Sequence, residues 1–72
     1  MADILAHITG TVWKIEVAVG DEVREDDVLV ILESMKMEMP VETNRDGTVA
    51  EILVTEGQAV AEGDVLVRIT EA

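Results

Sequence analysis

Residues 10–33 read GTVWKIEVAVGDEVREDDVLVILE, and residues 47–70 read GTVAEILVTEGQAVAEGDVLVRIT. Laid over one another at an offset of 37, without a gap, 12 of the 24 positions are identical. The identities include Gly10/Gly47, Val12/Val49, Ile15/Ile52, Val17/Val54, Gly20/Gly57, Val23/Val60 and Asp27/Asp64. The run Val28-Leu29-Val30 returns as Val65-Leu66-Val67. Two copies fall short of the three or so that a solenoid needs to bury its faces. Two copies of a strand-rich unit are instead expected to pack face to face about a pseudo-twofold axis.

Each copy is β in character. Thr11, Trp13, Ile15 and Val17 alternate with Val12, Lys14 and Glu16, the period-2 pattern of a half-buried strand. Thr48, Ala50, Ile52 and Val54 repeat it. On that phase Trp13 and Ile15 point inward, and Trp13 against its mate Ala50 is a large-for-small exchange that fills one side of the core. Val28–Leu32 and Val65–Ile69 are short, β-rich runs suited to central strands. Gly20-Asp21, Gly57-Gln58, Asp26-Asp27 and Gly63-Asp64 mark turns. All five glycines, Gly10, Gly20, Gly47, Gly57 and Gly63, are read as turn residues. Val28, Leu32, Met35 and Met39 also fall at a helical spacing, in good helix formers. The second copy carries Arg68, Ile69 and Thr70 there, a poor helix, so strand is predicted for both.

Composition narrows the function. With 72 residues the chain makes one domain at most, and its core is too thin to enclose a deep pocket. A self-contained enzyme is therefore not expected. There is no cysteine, hence no disulfide, thiolate nucleophile or Cys-ligated zinc. His7 is the only histidine, which leaves neither a His-based metal cage nor a Ser-His triad. Five basic residues stand against 16 acidic ones, a net charge of -11. Such a surface repels phosphate backbones, so no nucleic-acid partner is expected. No apolar run approaches the roughly 20 residues of a membrane helix, and Met1-Ala2-Asp3 begins no signal peptide. A cytoplasmic chain with no membrane partner is expected. Trp13 is the only aromatic residue, so the core must be built from Val, Ile and Leu.

The joint between the copies is where the pattern becomes unusual. The first unit ends at Glu33, and the second begins near Pro40, the mate of Asp3. The expected organisation is a single domain over residues 1–72. Half-repeats of about 3–33 and 40–70 are joined by a hairpin at 34–39. Met37, Met39 and Val41 alternate with Glu38, Pro40 and Glu42 as a second strand. Val28 to Thr43 is too long for one strand, so the chain must reverse at about Ser34–Met37. That turn has no Gly, Asn, Asp or Pro at its tip, unlike every other turn here. Lys36, one of two lysines in the chain, would project from it into solvent between Met35 and Met37.

At these residues the chain resembles a known family. Glu33-Ser34-Met35-Lys36-Met37 looks like the attachment motif of biotinyl domains, whose core is Met-Lys-Met, and Glu38-Met39-Pro40-Val41 is also typical of small biotin carboxyl carriers. The resemblance extends over essentially all residues, through Gly10-Thr11-Val12, Val19-Gly20-Asp21, Gly47-Thr48-Val49 and the Gly57…Gly63-Asp64 pair. It implies an all-β flattened barrel, or sandwich, of two four-stranded antiparallel sheets. It also implies that Lys36 is amide-linked to biotin by a separate biotin protein ligase. The carrier would then shuttle carboxylate between the biotin carboxylase and carboxyltransferase components of an acyl-CoA carboxylase, with acetyl-CoA the first acceptor to consider. Ser34 stands where many relatives have Ala. The halves align without a gap, so the protruding thumb of some bacterial carriers is not expected, nor is a linker ahead of the first strand.

Within that resemblance, Met35, Met37, Glu33 and Ser34 are the residues expected to meet the ligase or the partners. For Met37 a cover over apolar sheet surface is an equal alternative, and Met39 is expected in the core. Glu33, Ser34 and Glu38 would be rim contacts. A lipoyl carrier is the nearest rival, since it shares the fold and the lysine, but Asp-Lys-Ala is its usual tip. Lipoate is thus the second cofactor and dual modification a further alternative. An unmodified interaction module is the reading from another class. Trp13 is expected to pack and His7 to ligate nothing.

Overall fold

A computed structural model describes residues 1–71. Eight strands follow in order: β1 (Ala2–Leu5), β2 (Gly10–Ile15), β3 (Glu22–Val23), β4 (Val28–Ser34), β5 (Met37–Glu42), β6 (Gly47–Ile52), β7 (Ala59–Val60) and β8 (Val65–Glu71). None of the described residues is helical. The helical spacing of Val28, Leu32, Met35 and Met39 is divided between β4, a turn and β5. The strands form two four-stranded antiparallel sheets, ordered β1-β8-β6-β3 and β5-β4-β2-β7. Shifting residue numbers by 37 turns one order into the other, so the two halves exchange under a pseudo-twofold axis. Each half supplies two strands to each sheet.

The same symmetry runs through the main-chain hydrogen bonds. The Ala6 amide donates to the Asp64 carbonyl at 2.8 Å, and its mate, the Thr43 amide, donates to Asp27 at 2.9 Å. The Val12 amide donates to Gln58 at 2.8 Å, and the Val49 amide to Asp21 at 2.9 Å. The core follows suit. Val12/Val49, Leu29/Leu66, Val30/Val67 and Leu32/Ile69 are all fully buried, and each pair is a repeat pair. An aliphatic core was expected, and here β-branched and Leu side chains interdigitate between the two inner faces.

One expectation is overturned. β2 slips against β4 between Val12 and Lys14, and β6 slips against β8 between Val49 and Glu51. A bulge puts two residues opposite one and shifts the face of everything beyond it. Val12 therefore points inward before the bulge and Ile15 after it, and Trp13 is left outside, 45% exposed. Strict alternation had placed Trp13 inside. Its indole carries the Lys14 ammonium instead, with Nζ 5.7 Å from the ring centroid, within cation–π range. A second pair of bulges falls at Leu29 and Leu66. Each lets two consecutive residues, Leu29-Val30 and Leu66-Val67, both be buried.

Four tight turns close the strands, and their polar residues are part of them. The Ala18, Arg24 and Ala61 amides donate to the side-chain oxygens of Asp21, Asp27 and Asp64, and the Thr55 amide donates to Gln58. Gly20, Gly57 and Gly63 hold the positive φ that the third place of such a turn demands, and Asp26, at φ 78°, takes the place equivalent to Gly63. Gly10 and Gly47 are not turn residues, contrary to expectation. They open β2 and β6, and they are glycine for want of space. A Cβ on Gly47 would strike the Thr70 carbonyl and the Ile69 side chain, and one on Gly10 would lie 2.6 Å from the Glu33 carbonyl oxygen.

On the outer face of the first sheet, Arg68 of β8 reaches Asp3 of β1 at 3.1 Å and Glu51 of β6 at 3.0 Å. The bonds to Glu51 and then Asp3 hold its guanidinium pKa above the ordinary range. The repeat mates of this triad are Ile31, Pro40 and Lys14, so the second sheet lacks it.

Candidate functional site: the β4–β5 hairpin

β4 and β5 are in register with Leu32 opposite Met39, Glu33 opposite Glu38 and Ser34 opposite Met37. That leaves two residues, Met35 and Lys36, to reverse the chain. Their φ angles are 54° and 63°, the double left-handed conformation of a type I′ turn, whose twist matches that of the flanking strands. The sequence placed the reversal at Ser34–Met37, and it lies there. The strands run closer to the tip than a joint spanning 34–39 implied, since Met37 already belongs to β5.

A left-handed residue with a Cβ costs roughly 1 kcal/mol or more. Turn chemistry alone would select Asn-Gly at these two places. Met35 and Lys36 therefore occupy the turn for what their side chains present. Met35 is 91% exposed and Met37 58%. Lys36 is exposed as well. Among the described residues no salt bridge reaches its ammonium. Glu33 and Glu38 are exposed on the flanks, and Ser34 and Met39 are half-buried. Met39 faces inward beside Leu32 but is not sealed, so its place in the core is partial.

The base of the hairpin is held from below by a residue that sequence reasoning did not assign to the site. β2 passes so close to β4 that a Cβ on Gly10 would also lie 3.4 Å from the Ser34 Cβ. The one available signal was the identity of Gly10 with Gly47, which points to a shared need for space. Lys14, the other lysine, sits in the bulged stretch of β2, stacked on Trp13.

This arrangement presents one primary amine on a stiff tip, flanked by two thioethers, above a pair of carboxylates. It holds no nucleophile with a base. Among the described residues no group of three or more His, Cys, Asp or Glu side chains is placed to hold a metal. The grooves lined by Val17 and Val28, by Leu5 and Val41, and by Arg24 and Thr48 lie away from the tip, and Lys36 lines none of them. An exposed amine clear of the core suits a covalently tethered group.

The family described as biotin-requiring enzymes matches residues 1–69. The chain belongs to the biotin/lipoyl attachment family. It is 42% identical over 66 residues to the biotin/lipoyl attachment protein of Bacillus subtilis, covering 92% of this chain and 90% of that one. It is 47% identical over 64 residues to the biotin carboxyl carrier protein of Streptococcus mutans, covering 89% of this chain and 49% of that protein. Its fold superposes on a single-chain, multi-domain long-chain acyl-CoA carboxylase with a TM-score of 0.93 at 31% identity, over 99% of this chain and 7% of that one. The chain thus spans nearly the whole of one relative, half of another and a small part of the third. As a member of the family it is a non-catalytic carrier whose cofactor is biotin.

Proposed function

We infer that Lys36 is the biotin attachment residue and that the chain is a biotin carboxyl carrier. The observation that carries this reading is the type I′ turn that presents the exposed Lys36 between Met35 and Met37, with no salt bridge to it among the described residues. A biotin protein ligase must surround the acceptor amine, and a protruding two-residue turn fits that demand where a strand interior does not. Lys36 Nζ, after losing a proton to the ligase, attacks the activated carboxyl carbon of biotin. The amide C–N bond forms as the activating group leaves. From then on the lysine is a neutral tether. When bound, biotin supplies a ring nitrogen that accepts carboxylate at a biotin carboxylase and yields it at a carboxyltransferase. The tether makes each delivery intramolecular, at an effective concentration of order mM. The acceptor proposed is an acyl-CoA, with acetyl-CoA the first to test. The likeness to an acyl-CoA carboxylase supports that choice.

A second reading, lipoylation of the same lysine, is favoured by the close relative whose name includes both groups. Peptide mapping of the chain co-expressed with a biotin ligase, and separately with a lipoyl ligase, decides between them. Biotin on Lys36 alone is expected, with no avidin capture of Lys36→Ala or Lys36→Arg. The guanidinium of the second variant stays protonated and is no acceptor. Because a turn-tip side chain makes few core contacts, Lys36→Ala should change stability by no more than about 0.5 kcal/mol. Biotin on Lys14, or an unmodified chain at saturating biotin and ATP, would overturn the assignment. The second outcome would favour the lipoyl carrier or the plain interaction module.

A further inference from the structure

The chain has no cysteine, so its oxidisable sulfurs are those of its 4 methionines. Three of them, Met35, Met37 and Met39, lie on one hairpin, and burial grades them. Met35 is 91% exposed and Met37 58%, and Met39 is half-buried opposite Leu32. Thioether oxidation follows access to the sulfur and turns a flexible apolar side chain into a polar one. The most open of the three side chains therefore belongs to Met35, which shares the two-residue turn with the proposed acceptor lysine.

We propose that Met35 is a site of reversible oxidation to the sulfoxide by peroxide-class oxidants, and that its oxidation closes the tip to the biotin ligase. The oxidation balances simply. The sulfur lone pair attacks one peroxide oxygen, and the S–O bond forms as the O–O bond breaks. The thioether loses two electrons, and the second peroxide oxygen leaves as water from hydrogen peroxide or as an alcohol from an organic peroxide. A methionine sulfoxide reductase, drawing two electrons from thiols, removes the oxygen again as water. The closing of the tip rests on Lys36 being the acceptor. An active site that encloses the Lys36 amine must also cover its neighbour, and a sulfoxide there brings a strongly hydrated oxygen into a contact that Met35 makes as an apolar group. Burying such an oxygen without a donor is unfavourable. Met37, less open, oxidises later, and Met39 last.

The test treats the whole, non-biotinylated chain with dilute hydrogen peroxide and follows each methionine by peptide mapping, in buffer and again in urea. Met35 should oxidise several-fold faster than Met39 in buffer, with Met37 between them, and the order should vanish in urea. Equal rates for Met35 and Met39 in the folded chain would overturn the site. The oxidised chain is then given to a biotin ligase. The initial rate of Lys36 biotinylation should fall several-fold, recover after treatment with methionine sulfoxide reductases, and resist peroxide in Met35→Leu. An unchanged rate on fully Met35-oxidised chain would overturn the closing of the tip. Failure of the untreated chain to accept biotin would overturn it together with the acceptor assignment, while leaving the oxidation order to stand or fall by the peptide map.

Discussion

Glu33 and Glu38 stand directly opposite one another on β4 and β5, one step below the turn that carries Lys36. Like charges at directly opposed positions of an antiparallel pair destabilise it. Glu38→Lys replaces that repulsion with attraction and should stabilise the fold by up to about 1 kcal/mol. Urea unfolding would register it as a higher midpoint with an unchanged slope. An unmoved midpoint would mean that solvent already screens the pair.

The turn itself should be improvable without touching the lysine. Met35 sits at φ 54°, where Asn, which bonds locally to its own backbone, is far better tolerated. Met35→Asn should raise stability by about 1 kcal/mol. Met35→Val, β-branched at a left-handed position, should lower it. Thermal unfolding of the two variants beside the parent would rank them, and a Val variant as stable as the Asn variant would refute the turn assignment.

The bulge in β2 makes a contrast between aromatic and aliphatic truncation. Leu29 and Leu66 are both fully buried, and Leu→Ala at either should cost about 2–5 kcal/mol, similar at the two because their surroundings repeat. Trp13→Ala removes the larger side chain yet should cost only about 1 kcal/mol, since Trp13 lies on the surface. Denaturant midpoints compare all three. A Trp13→Ala loss matching the leucines would put the indole back in the core.

Gly10 offers a handle on the tip from below. Gly10→Ala must push β2 away from Glu33 and Ser34, with an expected cost of about 1–3 kcal/mol from overpacking. Amide hydrogen exchange should quicken first across residues 33–37, ahead of the distant turns. Uniform quickening over the whole chain would instead mean that the loss is global.

What was legible in the sequence is what periodic burial writes into residue type. Val28–Leu32 and Val65–Ile69 read as strands because each is flanked by strands on both sides and buries most of its apolar residues. The reversal at Met35-Lys36 read as a turn because two strand patterns could not share one strand. The register of Trp13 was not legible. A bulge is a backbone accommodation with no composition of its own, and one extra residue inverts every face beyond it. The role of Gly10 was hidden for a related reason. Glycine chosen for closeness and glycine chosen for a positive φ look alike until the neighbouring strand is in place. Asp21, Asp27 and Asp64 were legible as turn residues, and each fastens the turn it stands in by accepting a backbone amide.

The repeat that builds the fold also decides how many passengers it can hold. The pair Leu32 and Met39, two steps below the turn, has its mate in Ile69 and Ala2, which are likewise opposite one another. At the first place the two strands are continuous through Met35 and Lys36. At the second they are the last and the first of the fold, and chain direction forbids a two-residue link between them. An object with twofold symmetry is thereby left with one arm. With Lys36 as the proposed attachment residue, the domain would offer one tether and no symmetry-related second.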